Sequence, residues 1–416
     1  MQKSKLLAVL LLTLVNTLSF SILIPVLPFL LRNWQMQDWL FGLLLGVFSL
    51  CQFWAAPIFG GLSDQHGRRK ILLLTQGGTL LSWLLFLALS LLDSMSNMPV
   101  LILLIFLFVV RMVDGITGGN SSVTNAYLSD ITTKEQKAKY FGYLSATMGL
   151  GMIIGPAIGA YTMASAFGYI ATAIFGALLS LVTVCCIYFV LPESLAVKAA
   201  TAQRDWLQPF KLRTSFAALE GQNVVRNVLI VRIFLAATMA AYTAIMVFYL
   251  IDQFELSEVE IGNFLFFVGG FAIFNQVVLI KPIVGFFGEA RALTLGLALL
   301  CFSLLNFPII DNYWLLLIVY YFANLGFSIC LPTIKSVLTT QTDASSQGKI
   351  LGLEESLAAL MMALMPLIST AIYVLMGVNS FFIWALLAAL ACVFLVFSCP
   401  SILSRQAHLP KSKMEQ

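Results

Sequence analysis

Residues 40–89 read LFGLLLGVFSLCQFWAAPIFGG, then LSDQHGRRK, then ILLLTQGGTLLSWLLFLAL. The two outer blocks hold no charged residue, while the nine residues between them hold Asp64, Arg68, Arg69 and Lys70. Each apolar block reaches the roughly 20 residues that a helix needs to cross the hydrocarbon core of a bilayer. Inside lipid every backbone N–H and C=O must find its partner within the segment, so such a block is read as a helix. A transmembrane barrel would need alternating strands of about ten residues, and that alternation is not found. The stretch is therefore two membrane helices joined by a tight basic loop.

The same pattern repeats outward in both directions. Apolar spans lie near 6–31, 39–62, 71–92, 99–126, 139–163, 167–191, 227–251, 260–283, 291–310, 313–338, 349–377 and 379–399. The chain is thus predicted to be an all-α membrane protein with about twelve transmembrane helices. Its composition agrees: 60% of residues are hydrophobic and 10% charged, with a mean hydropathy of +0.96, against about 25% charged in a soluble domain. The first span follows Lys3 and Lys5 as a signal peptide would. It is too long for one, contains Pro25 and Pro28, and lacks a small-residue cleavage site, so it is read as a retained helix.

Charge placement gives an expected orientation. Of the 23 Lys and Arg, 18 fall in the segments that lie on one side if the N-terminus is cytoplasmic: Lys3, Lys5, Arg68, Arg69, Lys70, Lys134, Lys137, Lys139, Lys198, Arg204, Lys211, Arg213, Arg226, Arg291, Lys349, Arg405, Lys411 and Lys413. The opposite segments hold Arg32 alone, beside Asp38, Asp93, Asp252, Glu255, Glu258, Glu260 and Asp311. The positive-inside rule then puts both termini in the cytoplasm. The net charge of +4 is this bias showing through and carries no nucleic-acid footprint.

The longest polar interruption divides the chain into an N-terminal six-helix bundle (1–191), a cytoplasmic linker (192–226), a C-terminal six-helix bundle (227–400) and a cytoplasmic tail (401–416). The halves echo each other. FLLRNWQMQDWLFG at 29–42 resembles YLIDQFELSEVEIG at 249–262, and Gly142 and Pro156 recur as Gly352 and Pro366. Such a duplication predicts two pseudo-symmetric bundles with a solute site near the midplane. In the linker, Trp206, Phe210 and Phe216 fit a helix lying on the membrane surface.

Three motifs carry a family resemblance. Gly60-Gly-Leu-Ser-Asp64-Gln-His-Gly67-Arg68-Arg69-Lys70 resembles the loop signature of the major facilitator superfamily, G-x-L-a-D-r-x-G-r-k. Gly151-Met-Ile-Ile-Gly155-Pro156-Ala-Ile-Gly159-Ala160 resembles its antiporter signature, with Ala160 in place of the final glycine. Arg111-Met-Val-Asp114-Gly115-Ile-Thr-Gly118 resembles its R-x-x-x-G-x-x-G pattern in span four. The likeness extends to Leu23–Pro28 and Leu191–Ser194 and is nearest to drug:proton antiporters of the tetracycline-efflux type. It implies an Arg68/Arg69 pairing with Asp130 at the inner surface, and a seal between the halves built on the glycine face of span five. One departure is instructive: those exporters carry an Asp nine residues before Pro25, where this chain has Asn16.

Ionisable residues at membrane depth are costly and mark function. Arg111 and Asp114 lie mid-span on one helical face. Desolvation and the guanidinium pull the protonation of Asp114 in opposite senses, so the pair is the candidate proton-coupling site; a self-neutralising ion pair is the plain alternative. Lys335, Glu354 and Glu355 sit within about two turns of the inner surface. They form a candidate inner gate, with snorkelling to the interface expected for them and for Arg232 and Lys281. Candidate cavity residues are Asn16, Phe20, Gln52, Tyr242, Asn275, Gln276, Asn324, Met361, Met362 and Met365. The seven cysteines and two histidines lack metal-ligand spacing, there is no G-x-x-x-x-G-K-[ST] loop, and no nucleophile–base constellation appears. The chain is expected to be no enzyme, to need no cofactor, and to draw energy from a proton gradient. The reading is a monomeric exporter of small organic solutes in a bacterial-type inner membrane. The alternatives are an importer or carrier of a polar metabolite or siderophore, and a non-transporting sensor or assembly factor.

Overall fold

The computed structural model describes residues 2–95, 98–195, 223–342 and 347–398; the expected linker helix and the tail lie outside them. Among the described residues the regular structure is entirely helical. The helices are α1 (Gln2–Asn33), α2 (Trp39–His66), α3 (Arg68–Met95), α4 (Val100–Gly118), α5 (Ser121–Ile131), α6 (Lys134–Met163), α7 (Gly168–Val190) and α8 (Asn223–Phe254). They continue as α9 (Glu258–Phe274), α10 (Ile280–Phe287), α11 (Glu289–Asn306), α12 (Tyr313–Thr340), α13 (Gln347–Met376) and α14 (Ser380–Ser398).

The twelve expected spans are all present. Eleven continuous apolar segments are long enough to cross a membrane, and the last of them, Ile350–Ser398, is 49 residues long. A 3₁₀ turn at Gly377–Asn379 divides it into α13 and α14, and each exceeds the roughly 17 residues needed to span. The structure differs from the sequence reading in span four. Instead of one helix the segment breaks at Gly119–Asn120, leaving α4 and α5. A second irregularity is a π-helical turn, Asn275–Leu279, between α9 and α10.

Packing divides the chain into two compact units: Met1–Pro209 with Leu250–Gly269, and Phe210–Tyr249 with Gly270–Gln416. In lipid there is no hydrophobic drive between helices, so small residues that let backbones approach do the holding. In the first unit α6 packs along α1, and α2 along α4. A Cβ on Gly151 would lie 2.7 Å from Thr17 Cβ, on Gly155 1.9 Å from Ser21 Oγ, and on Gly159 2.2 Å from Ile22 O. The glycine face of the antiporter-like run is therefore the seat of α1, and Ser21 Oγ locks it by donating to Gly151 O at 2.9 Å. In the second unit Gly296 of α11 and Gly326 of α12 meet reciprocally, their added Cβ atoms falling 2.9 and 2.6 Å from each other's carbonyl oxygens.

The halves echo each other in backbone as well as in sequence. Gly67 (φ 103°) makes the one-residue turn from α2 to α3, and Gly288 (φ 76°) makes the one from α10 to α11. Both conformations suit a residue without a Cβ.

Candidate functional site

The basic loop is tied down by carboxylates. Arg68 reaches Asp64 at 2.6 Å and Asp130 at 3.2 Å, and its Nη1 donates to Ser63 Oγ at 2.6 Å. Ser194 Oγ also donates to Asp130, at 3.1 Å. The start of α3 is capped by Glu193. Its carboxylate accepts the backbone N–H groups of Arg68 at 2.8 Å and Arg69 at 3.2 Å, at the start of α3, where both the unpaired donors and the helix dipole favour an anion. A Cβ on Gly67 would lie 2.4 Å from Glu193 Oε2. Arg69 turns its guanidinium over the Tyr188 ring, 5.5 Å from the centroid.

At mid-span Arg111 Nη1 meets Asp114 Oδ2 at 2.9 Å, and both residues are buried, at 0% and 5% exposure. Asp114 also receives a bond from Ser82 at 3.4 Å. The guanidinium lies 4.4 Å from the centroid of Phe48, a cation–π contact. Its Nε and Nη2 have no hydrogen-bond partner among the described residues. Gly115 makes this possible, since a Cβ there would lie 2.4 Å from Phe48 O.

One turn further the break in span four is fastened to α2. Gln52 Nε2 donates to Gly118 O at 3.0 Å, and Ser122 Oγ donates to Ala56 O at 2.6 Å. Gly119 can carry no side chain, because a Cβ would sit 2.8 Å from Ala55 Cβ and Ala56 N. The break turns Asn120, itself 0% exposed, to Asn16 of α1, whose Nδ2 donates to Asn120 Oδ1 at 2.8 Å. Phe20, one turn along α1, packs on Phe48 with ring centroids 5.1 Å apart. Asn16, Phe20 and Gln52 are thus gathered with Arg111 and Asp114 in one unit.

The second unit gathers the other candidates. Tyr242 stacks on Phe327, with centroids 5.3 Å apart, and shares a 2.9 Å hydroxyl bond with Tyr320. Asn275, at the start of the π turn, donates to Asn324 Oδ1 at 3.1 Å. Gln276 is exposed, and Met361 and Met362 are partly exposed on α13. The expectation that the charges near this end snorkel needs correcting. Glu354 is 0% and Arg232 8% exposed, and they pair directly. Lys335 behaves as expected, half exposed and 2.6 Å from Glu355, with Glu354 at 3.9 Å.

Comparison with known proteins now decides the family. The profile of the Major Facilitator Superfamily matches residues 9–282. The chain belongs to the major facilitator superfamily. It is 30% identical to the tetracycline resistance protein, class C, of Escherichia coli, over 86% of this chain and 87% of that protein. It is 27% identical to the class B protein of Escherichia coli over 97% of both chains. Its fold matches the crystal structure of the human organic anion transporter MFSD10 (TETRAN), with a TM-score of 0.70 over 95% of this chain and 99% of that one, at 23% identity.

As a major facilitator the chain is a membrane-embedded secondary transporter. Two residues of its candidate sites escaped the sequence reading, and two more were read without their partners. Asn120 and Phe48 enter the cluster only because span four breaks and α2 approaches it closely. Glu193 and Arg232 find their partners 125 and 122 residues away. A Gly-Gly-Asn run inside a span was the one legible signal.

Proposed function

We propose that this transporter is a proton-coupled exporter of small organic solutes, working by alternating access in a plasma membrane with both termini cytoplasmic. In this reading the two six-helix halves, 1–191 and 227–400, are the moving bodies. The observation that carries the proposal is the buried Arg111–Asp114 pair. A carboxylate held at membrane depth by one guanidinium nitrogen, beside helices kept close by glycine, is poised to exchange a proton when its surroundings change. Resistance, the property in the names of the bacterial relatives, supports the outward direction, since lowering a compound's concentration in the cell is what an exporter does. Tetracycline itself is not proposed as the solute, because Asn16 cannot titrate.

The test is solute flux in proteoliposomes under an imposed pH gradient. Asp114→Asn is expected to abolish gradient-driven accumulation while retaining exchange, and to remove the proton signal seen when a transported solute is added to purified protein. An unchanged proton signal in the variant would move the coupling site elsewhere. A second reading, a carrier of carboxylate-bearing metabolites, is favoured by one observation: the Nε and Nη2 of Arg111, without a partner among the described residues, are donors suited to an anion.

A further inference from the structure

The Asn16–Asn120 contact is incomplete in a specific way. Two primary amides facing each other can exchange two hydrogen bonds, but here one is made, at 2.8 Å. Asn16 Oδ1 and Asn120 Nδ2 are buried without a partner among the described residues. Turning either amide by 180° does not remove the deficit. Whichever way the pair is read, one bond leaves one donor and one acceptor unmatched. A buried polar atom left so is costly, and the fold keeps two of them side by side. It also maintains a broken helix to do so, for Asn120 reaches α1 only through the interruption at Gly119–Asn120. Irregular backbone at membrane depth is found where it is buried in protein or lines a cavity, and in transporters broken helices build solute sites. Beside the pair lies an aromatic wall of Phe20 and Phe48.

We propose that the Asn16–Asn120 pair is a recognition subsite for the neutral amide edge of a planar organic solute (a carboxamide, lactam or imide) whose ring lies against Phe20. Such an edge offers one acceptor and one donor on adjacent atoms, the complement of what the pair leaves open. No net charge is available at the two amides to hold a cation, and Asp114 already neutralises Arg111. The subsite names the solute class of the exporter proposed above and rests on that reading, but it makes a claim about binding alone.

Its test therefore uses equilibrium binding to detergent-purified protein, without a membrane or a gradient. Four naphthalene probes share one ring and differ at the edge: 2-naphthamide, N,N-dimethyl-2-naphthamide, methyl 2-naphthoate and 2-naphthoate. Their intrinsic fluorescence reports binding. The wild-type protein is expected to bind 2-naphthamide about tenfold more tightly than the dimethylamide and the ester, the loss of roughly one buried hydrogen bond. Asn120→Leu is expected to weaken 2-naphthamide about tenfold and leave the ester unchanged. Asn16→Ala does the same from the partly exposed partner and serves where Asn120→Leu fails to give a monodisperse protein. Equal binding of amide and ester to the wild-type protein would overturn the proposal, and is what a water molecule bridging the two amides would produce. Tightest binding of 2-naphthoate would overturn it in favour of an anion on Arg111. Edge preference without gradient-driven flux would leave the subsite standing and sink the exporter reading; flux without edge preference would do the reverse.

Discussion

At the scale of single residues, two buried ion pairs lie among the described residues, and each sets a different constraint. Arg232 and Glu354 bring both charges out of water. Desolvation of each costs several kcal/mol, which their attraction and hydrogen bond offset only while both are present. Glu354→Gln is therefore expected to destabilise the protein by about 3 kcal/mol, because it strands Arg232, whereas the double variant Arg232→Met/Glu354→Leu should recover most of that loss. Thermal unfolding in detergent would check this, and additive losses in the double variant would show that the pair does not act as a unit. Arg111 differs because its guanidinium also lies over Phe48. Removing it strips both the ion pair and the aromatic contact, so Arg111→Ala should impair transport more severely than Asp114→Asn. Flux under a pH gradient, normalised to folded protein, would measure the difference.

At the scale of elements, glycine placement decides which helices touch. The stripe Gly151, Gly155 and Gly159 admits α1 to within van der Waals contact of α6, while the neighbouring Ala160 meets Gly262 and Ile153 meets Gly269. One helix thus serves two partners through two adjacent faces. Gly155→Leu should force α1 away, since even a Cβ would lie 1.9 Å from Ser21 Oγ; a sharp fall in folded yield is expected. Gly142, in the same helix, faces open space: a Cβ there would meet no described neighbour within 4 Å. Gly142→Ala should therefore be neutral or gain about 0.5–1 kcal/mol from reduced backbone freedom. Comparing the two variants by size-exclusion profile and thermal unfolding tests whether proximity, and not glycine content, is what α6 requires. The break in span four follows the same logic: Gly119 permits the approach to α2, Gln52 of α2 donates to Gly118 O, and Ser122 donates to Ala56 O of α2.

At the scale of the whole molecule, the distribution of charge predicts an orientation with both termini cytoplasmic. In a cysteine-less background, Ser94→Cys and Asp311→Cys should react with an impermeant thiol reagent from outside intact cells, and His66→Cys and Lys70→Cys should not; the opposite pattern would invert the topology. That distribution was legible in the sequence because lipid imposes length, helicity and charge sorting on each segment independently, so twelve spans and the family loop could be read locally. The glycines at 151, 155 and 159 announced a close helix contact in the same way. Which helix would come to that face, α1, was not written in any local pattern. Nor was the pairing of Arg232 with Glu354, the capping of α3 by Glu193, or the meeting of Asn16 with Asn120. These depend on helices far apart in the chain being brought within hydrogen-bond reach, and a hydrogen bond or ion pair is decided by tenths of an ångström that only the tertiary packing sets. The sequence determined what each segment had to be in a membrane, and the tertiary structure decided which polar groups were left without partners inside it.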